Sequence, residues 1–245
     1  MTLYAIGDIH GHIAKLDRAL ALIEADGGTD AEIVFVGDYI DRGPDSRAVI
    51  ERLMAGLEAG QRWTCLKGNH DRLMDWFFEP EPRHDPHLLV GYHWFHPSIG
   101  GVETLSSYGV SVPDRVRLST LQGTARRHVP EAHIAFLRGL KLTHEAQGML
   151  FVHAGVRPGL ALNEQTEEDL LWIRQEFLED PRPFDRPVVH GHTPVETPEH
   201  WGRRINLDGG AAFGRTLVPV AFDGDQVFSL TDDGRVPLKP RDNPV

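Results

Sequence analysis

Five short segments of this chain place carboxylate, amide and imidazole donors directly behind an apolar run. Gly7-Asp8-Ile9-His10-Gly11 follows residues 3–6, Gly37-Asp38-Tyr39-Ile40-Asp41-Arg42-Gly43 follows 33–36, and Gly68-Asn69-His70-Asp71 follows 63–66. His153-Ala154-Gly155 follows 149–152, and His190-Gly191-His192-Thr193 follows 187–189. Together Asp8, His10, Asp38, Asn69, His153 and His192 mix oxygen and nitrogen donors and include carboxylates able to bridge, the inventory a pair of divalent cations needs. On an extended backbone, Asp8 and His10 would project to the same side and could reach one ion. One such motif says little, since Gly-Asp and Asn-His pairs are ordinary turn residues. Five of them, each closing an apolar run, argue for a single site.

The chemistry that suits such a site is phosphoester hydrolysis. Phosphate monoesters hydrolyse extremely slowly without a catalyst. Two cations roughly 3.5–4 Å apart can hold a bridging water, lower its pKa and present hydroxide in line with the leaving group. His70 sits beside Asn69 with no evident metal role and is read as the general acid, with Asp41 orienting its ring. Arg42 and Arg174 are read as bidentate grips on the phosphate oxygens. No Ser or Cys nucleophile is required. Blander readings stand beside these: Asp41-Arg42 as a salt-bridged surface turn, and Arg174 as an ion pair on a Glu-rich helix. His12 reads as a helix-start residue, and Cys65 as a small buried hydrophobe. The cluster His84, His87, His93 and His96 has no acidic or thiolate spacing to support a further metal and reads as a mobile histidine-rich loop.

The elements that must position these groups are legible as periodicities. The apolar runs suit strands buried on both faces, and a Gly at each exit lets the backbone turn sharply. Ile13, Leu16, Leu20 and Ile23, then Val49, Ile50, Leu53 and Leu57, recur at helical spacing. The alternation predicts an α/β fold with its functional loops gathered at the carboxyl ends of strands. Past residue 200, runs at 204–207, 217–222 and 227–230 predict antiparallel strands completing a second sheet. Residues 76–128, with Pro80, Pro82, Pro86 and Pro97, read either as a lid or substrate-facing excursion or as irregular surface. One domain over 1–236 is expected, with a frayed, Pro-rich tail at 237–245.

Composition narrows the classes. A chain of 245 residues can bury a substantial core, and 36 acidic against 25 basic residues give a formal charge of −11, against a broad nucleic-acid-binding face. Phosphorylated substrates stay admissible, because bound metals can reverse the local field. A single cysteine allows no intrachain disulfide, and no signal peptide or membrane span is visible, so a cytoplasmic setting is expected. Nothing in the sequence sets the oligomeric state.

The three N-terminal motifs resemble, in order, those of the phosphoprotein phosphatase family within the calcineurin-like metallophosphoesterase superfamily. That family includes calcineurin and the bacteriophage lambda serine/threonine protein phosphatase. His153-Ala154-Gly155, Leu171-Trp172-Ile173-Arg174 and Gly191-His192-Thr193-Pro194 are similar to its later motifs in bacterial members. Gly100-Gly101, Thr104-Leu105 and Ser107-Tyr108-Gly109 match the bacterial pattern too, so the resemblance spans about residues 2–215. Asp71 stands where eukaryotic members carry Glu. Pro194 stands where the wider superfamily often has a second His. The resemblance implies a four-layer αββα sandwich of two mixed sheets. It also implies one metal on Asp8, His10 and Asp38 and another on Asp38, Asn69, His153 and His192, with Asp38 bridging. His190 falls outside that ligand pattern, and Asn206-Leu207-Asp208-Gly209-Gly210 lies near the site without supplying a ligand. Manganese is the expected metal, with iron or zinc as alternatives. The implied activity is dephosphorylation of phosphoserine or phosphothreonine in proteins, using metal-bridging hydroxide. The alternative is a nucleotide hydrolase similar to the symmetrical diadenosine tetraphosphatases, which would need a longer, base-holding groove. A non-catalytic metal-binding scaffold is a third reading, disfavoured because every ligand and the acid are in place.

Overall fold

The structure, a computed structural model, describes residues 2–180, 182 and 184–241. The first half runs β1 (Leu3–Ile6), α1 (Ile13–Gly27), β2 (Glu32–Phe35), α2 (Ser46–Glu58), β3 (Trp63–Cys65), α3 (Asn69–Phe77), α4 (Gly101–Ser107), α5 (Leu118–Ala125) and α6 (Glu131–Arg138). The second half runs β4 (Thr143–Ala146), β5 (Met149–Val152), α7 (Glu167–Trp172), α8 (Gln175–Leu178), β6 (Val188–His190), β7 (Glu199–His200), β8 (Arg204–Asn206), β9 (Val220–Asp223), β10 (Gln226–Thr231) and β11 (Gly234–Pro237).

Side-chain alternation along each strand builds four layers. In β1, Leu3 and Ala5 face one way and Tyr4 and Ile6 the other. Leu3, Ala5, Val34 and Val36 meet Met149, Phe151, Val189 and Ile205 of the second sheet in one core between the sheets. Tyr4, Ile6, Ile33 and Phe35 instead pack under Leu16, Ile23, Val49 and Leu53 of α1 and α2. Leu150, Val152 and Val188 pack against Leu170 of α7, Ile173 just beyond its end and Phe177 of α8. The rings of Phe151 and Phe222 meet edge-on between the sheets at 5.8 Å. Fully burying a phenyl of this kind contributes about 2–3 kcal/mol.

Both sheets are mixed. The first has the order β11-β10-β9-β1-β2-β3 and the second β4-β5-β6-β8-β7. β1, β2 and β3 run parallel, as do β5, β6 and β8. The loops that leave their carboxyl ends therefore open at one edge of the sandwich. The α/β expectation holds, but the antiparallel strands past residue 200 do not build the second sheet: β9 pairs with β1 and extends the first, while β8 joins β6 in parallel. Strand direction depends on distant partners, which a local pattern does not contain. Leu57, taken from its spacing as a core position of α2, is 37% exposed, and Gly56 packs on the Trp63 ring instead.

The tail expected to fray from Pro237 begins inside β11. Leu238 N–H donates to Val227 O and Arg241 N–H to His200 O, while 242–245 lie outside the described residues. Within 76–128, α4 and α5 are helical, and Trp94 reaches the site described below. Among the described residues, no helix is long and apolar enough to cross a membrane.

Candidate active site

Each of the five segments leaves a parallel strand and turns at once, and the turn is unusual in kind. Among the described residues, six that are not glycine have positive φ, and five of them are His10 (49°), Asp38 (54°), Asp41 (72°), Arg42 (67°) and His192 (64°). The left-handed region is costly for residues with a Cβ, so surrounding contacts must enforce it. Here those contacts are visible. Ile9 and His10 N–H both donate to Asp38 O, at 3.0 and 2.9 Å, and Gly11 N–H to Tyr39 O at 2.8 Å. The chain from Asp8 to His10 thus leaves the strand through left-handed backbone at His10, not on the extended spacing expected for the pair.

Asp71 ties the next pair of loops. Its buried carboxylate accepts Gly68 N–H at 2.8 Å, Asp38 N–H at 2.9 Å and Tyr39 N–H at 3.1 Å. Burial, reinforced by Asp38, still pushes its pKa up to about 8. Two glycines admit close approach: a Cβ on Gly68 would lie 2.1 Å from Asp38 Oδ1, and one on Gly191 would lie 2.0 Å from Asp8 Oδ1. Asp8 accepts the His192 N–H, at 3.1 Å to Oδ2, which joins the first sheet's loops to the second's. His153 Nδ1 donates to Val36 O at 2.9 Å, a second such tie.

The donor atoms converge. One carboxylate oxygen of Asp38 lies 3.5 Å from His10 Nε2 and the other 3.5 Å from His153 Nε2. Two groups of three donors, each mutually within 4.8 Å, share Asp38: His10–Asp38–His70 and Asp38–His153–His192. Asn69 Oδ1 stands 2.9 Å from both His153 Nε2 and His192 Nδ1. Because Nδ1 of His10 and of His153 each face a backbone carbonyl, those nitrogens carry the protons and Nε2 offers a lone pair inward. Burial lowers the pKa of His10, His153 and His192, favouring this neutral, ligating form. Nε2 of His192 is buried with no hydrogen-bond partner among the described residues.

The carboxylates complete the argument. Burial, and then repulsion from Asp208 and Asp38, raises Asp8, and burial raises Asp208 to about 6. Burial also opposes ionisation of Asp38, but charge attraction to His153, His70, His10 and His192, wherever those rings are protonated, outweighs it and lowers its pKa. Inward lone pairs and crowded carboxylates form a field that divalent cations would neutralise, so these residues fit a metal centre.

Beside this cluster, His70 Nδ1 lies 2.7 Å from Asp41 Oδ2, and Arg42 donates to His10 Nε2 at 2.8 Å and to His70 Nε2 at 3.1 Å. Asp41 is fully buried and also accepts Trp94 Nε1–H at 3.0 Å and Thr104 Oγ1–H at 2.7 Å. Asp41-Arg42 is therefore no surface salt-bridged turn. Arg174, on the exposed link from α7 to α8, forms no ion pair among the described residues and lies in the field of Asp38, Asp8, Arg42 and Asp208.

Other expectations separate. His190 is buried edge-on against Phe177, and burial followed by Arg204 lowers it to about 3. His12 is half-buried ahead of α1. His84, His87, His93 and His96 form no metal-holding group among the described residues. His87 stacks on Trp172 and bonds Asp85, and His96 stacks on Tyr92, so these two are held by ring contacts. Sequence reasoning missed Trp94, Thr104 and Asp71 as supports. Trp94 lies in an aperiodic Pro-rich stretch and carried no signal, whereas Asp71 stood in a quoted motif. It also missed Arg72, fully buried in α3, which donates twice to the buried Asp85 at 2.7 and 3.0 Å.

The calcineurin-like phosphoesterase family model matches residues 1–217. A symmetrical bis(5'-nucleosyl)-tetraphosphatase of Bordetella parapertussis is 35% identical over 156 residues, 63% of this chain and 44% of that protein. The chain thus matches less than half the length of that relative. The asymmetrical bis(5'-nucleosyl)-tetraphosphatase PrpE of Oceanobacillus iheyensis is 26% identical over 94% of this chain and 92% of its own length. Among solved structures, a candidate diadenosine tetraphosphatase shares the fold with a TM-score of 0.62 at 23% identity, covering 96% of this chain and 93% of that one.

Proposed function

The chain belongs to the calcineurin-like phosphoesterase family, and from that premise we propose that it hydrolyses bis(5'-nucleosyl) tetraphosphates, cleaving symmetrically to two nucleoside diphosphates. The observation that carries phosphoester chemistry is Asp38, whose two oxygens each face a separate group of inward donors. The names of the relatives carry the substrate class, and they favour this reading over the serine/threonine protein phosphatase that the motifs first suggest.

Asp8, His10 and Asp38 would hold one cation, and Asp38, Asn69, His153 and His192 the other. His70 lies within 4.8 Å of the His10 and Asp38 donors but keeps its Nδ1 on Asp41. Manganese is our proposed metal, with iron and zinc as alternatives that the same donors accept. Bound there, the metals would neutralise phosphoryl charge and supply a nucleophilic water at neutral pH. The chain's own groups do the rest. Arg42 would turn its fork from His10 and His70 onto the phosphate, and Arg174 would approach from the rim. His70, its Nδ1–H fixed by Asp41, would carry a proton on Nε2 toward the leaving oxygen. Trp94 and Thr104 hold Asp41 for that task. A cytoplasmic setting, supported by the lone buried Cys65, belongs to the same proposal.

The test is product analysis on the manganese-loaded protein given diadenosine tetraphosphate, with a phosphoserine peptide in parallel. Symmetrical cleavage yields ADP alone. ATP with AMP would show asymmetrical cleavage, and turnover of the peptide alone would return the protein phosphatase reading.

A further inference from the structure

We propose that Phe213 is a stacking platform for a base of the substrate, a specificity-determining residue; this rests on the nucleotide reading above. Phe213 is 60% exposed, and among the described residues it is the only Phe, Tyr or Trp exposed to solvent. Its ring does not sit on a loose loop. It closes the 3₁₀ turn Ala211–Phe213, and its N–H donates to Gly210 O at 2.9 Å. Gly210 and Gly214 bracket the turn in left-handed backbone, at φ 76° and 83°.

The turn is fastened at both ends to the site and the body of the fold. Gly210 N–H donates to the buried Asp208 Oδ1 at 3.0 Å, and Lys15 Nζ donates to the carbonyl of buried Ala211 at 2.6 Å. The ring is thus held by fixed contacts at one place beside the site, with most of its surface in water.

Position supplies the partner's chemistry. The Arg42 guanidinium carbon stands 5.6 Å from the centre of the Phe213 ring, and the Nη1 and Nη2 of the same group meet His10 and His70. A phosphate gripped by Arg42 therefore lies next to this ring, and whatever that phosphate carries must pass it. A nucleoside carries a flat base that can lie on the open face of the phenyl; every base has such a face, so the contact is indifferent to base identity. A phosphoserine side chain offers no planar group at that place.

The test compares ligands that differ only by the nucleoside. On the manganese-loaded chain, calorimetry would give Kd for methylenediphosphonate and for adenosine 5'-(methylenediphosphonate), with KM and kcat measured on diadenosine tetraphosphate. Phe213→Ala is expected to raise Kd for the adenosine compound and KM for the dinucleotide roughly tenfold, the order of one lost base stack. Methylenediphosphonate should bind the variant as it binds the parent, and Phe213→Trp should restore or tighten nucleotide binding. Unchanged nucleotide affinity in Phe213→Ala overturns the platform while leaving the nucleotide reading intact. An equal rise for both ligands also overturns it, because the ring would then act only through Arg42. A parent chain that neither binds the adenosine compound more tightly than the bare diphosphonate nor cleaves the dinucleotide overturns both readings.

Discussion

Arg72→Met should destabilise the protein severely, and a second substitution should undo most of the damage. Arg72 and Asp85 are both fully buried, and the guanidinium donates through Nε and Nη2 to the same carboxylate oxygen, at 3.0 and 2.7 Å. Glu168 and Glu167, at 3.5 and 3.7 Å from Nη1, are partly exposed and add little. Trp76 lies beneath the guanidinium at 4.4 Å, so Met keeps most of the stacking volume and loses the charge. What Arg72→Met leaves behind is a buried carboxylate whose described hydrogen bonds come only from the His87 backbone N–H and Nδ1. Stranding one member of a buried pair costs about 3–5 kcal/mol. For a domain of this size each kcal/mol moves Tm by about 2–4 °C, so the expected loss is about 6–20 °C. Removing both charges in Arg72→Met/Asp85→Leu should recover most of it, since an apolar replacement of the whole pair is close to neutral. Calorimetric melts of the three proteins at equal metal loading decide the matter. If the double variant melts as low as the single, or the single melts with the parent, the loss is not that of a stranded charge and the reasoning fails.

Three further outcomes follow. His70→Asn should keep metal content but lower kcat far more on a phosphoserine peptide than on diadenosine tetraphosphate, because an alkoxide leaving group needs a proton and a phosphate much less. General acid catalysis is typically worth about 100- to 10,000-fold; equal loss on both substrates would remove His70 from that role. Asp38→Asn should drop metal content below two ions per chain by elemental analysis, and two full ions would exclude bridging by Asp38. Burial lowers the pKa of His133, His144 and His200, so the folded chain refuses protons that the unfolded chain binds below its ordinary imidazole pKa of about 6.5. Stability should therefore fall as pH drops from 7 to 5, and a His133→Gln/His144→Gln/His200→Gln variant whose melts follow the same pH slope as the parent would refute the assignment.

The donor residues were readable because each closes an apolar run, and a run that ends in Gly-Asp or Gly-His keeps its meaning without knowledge of its neighbours. α1 and the parallel strands were readable for the same reason: Leu16, Leu20 and Ile23 announce one face over a single helix. The partners of those strands were not. β9 carries the same kind of apolar run as β8, and only its antiparallel pairing with β1 assigns it to the first sheet. β4 and β7, built from Thr143–Ala146 and Glu199–His200, are half-buried edge strands with too little apolar pattern to register. Trp94 supports the site through Asp41, 53 residues away in sequence, and Arg72 finds its buried partner Asp85 13 residues away; no local spacing encodes such meetings.

Asp8, Asp38 and Asn69 ride on one sheet, and His153 and His192 ride on the other, with the Phe151–Phe222 seam between them. The spacing of the donors is thus a measurement of how the two sheets are seated. A methyl added or lost in that interior layer would be read out as altered metal affinity while the protein still melted cooperatively. Conversely, weak metal retention in a variant altered at the centre should be correctable from the hydrophobic layer, by substitutions that touch no ligand. The sandwich acts as the jaws of a calliper, and tuning this site means adjusting the frame as well as the tips.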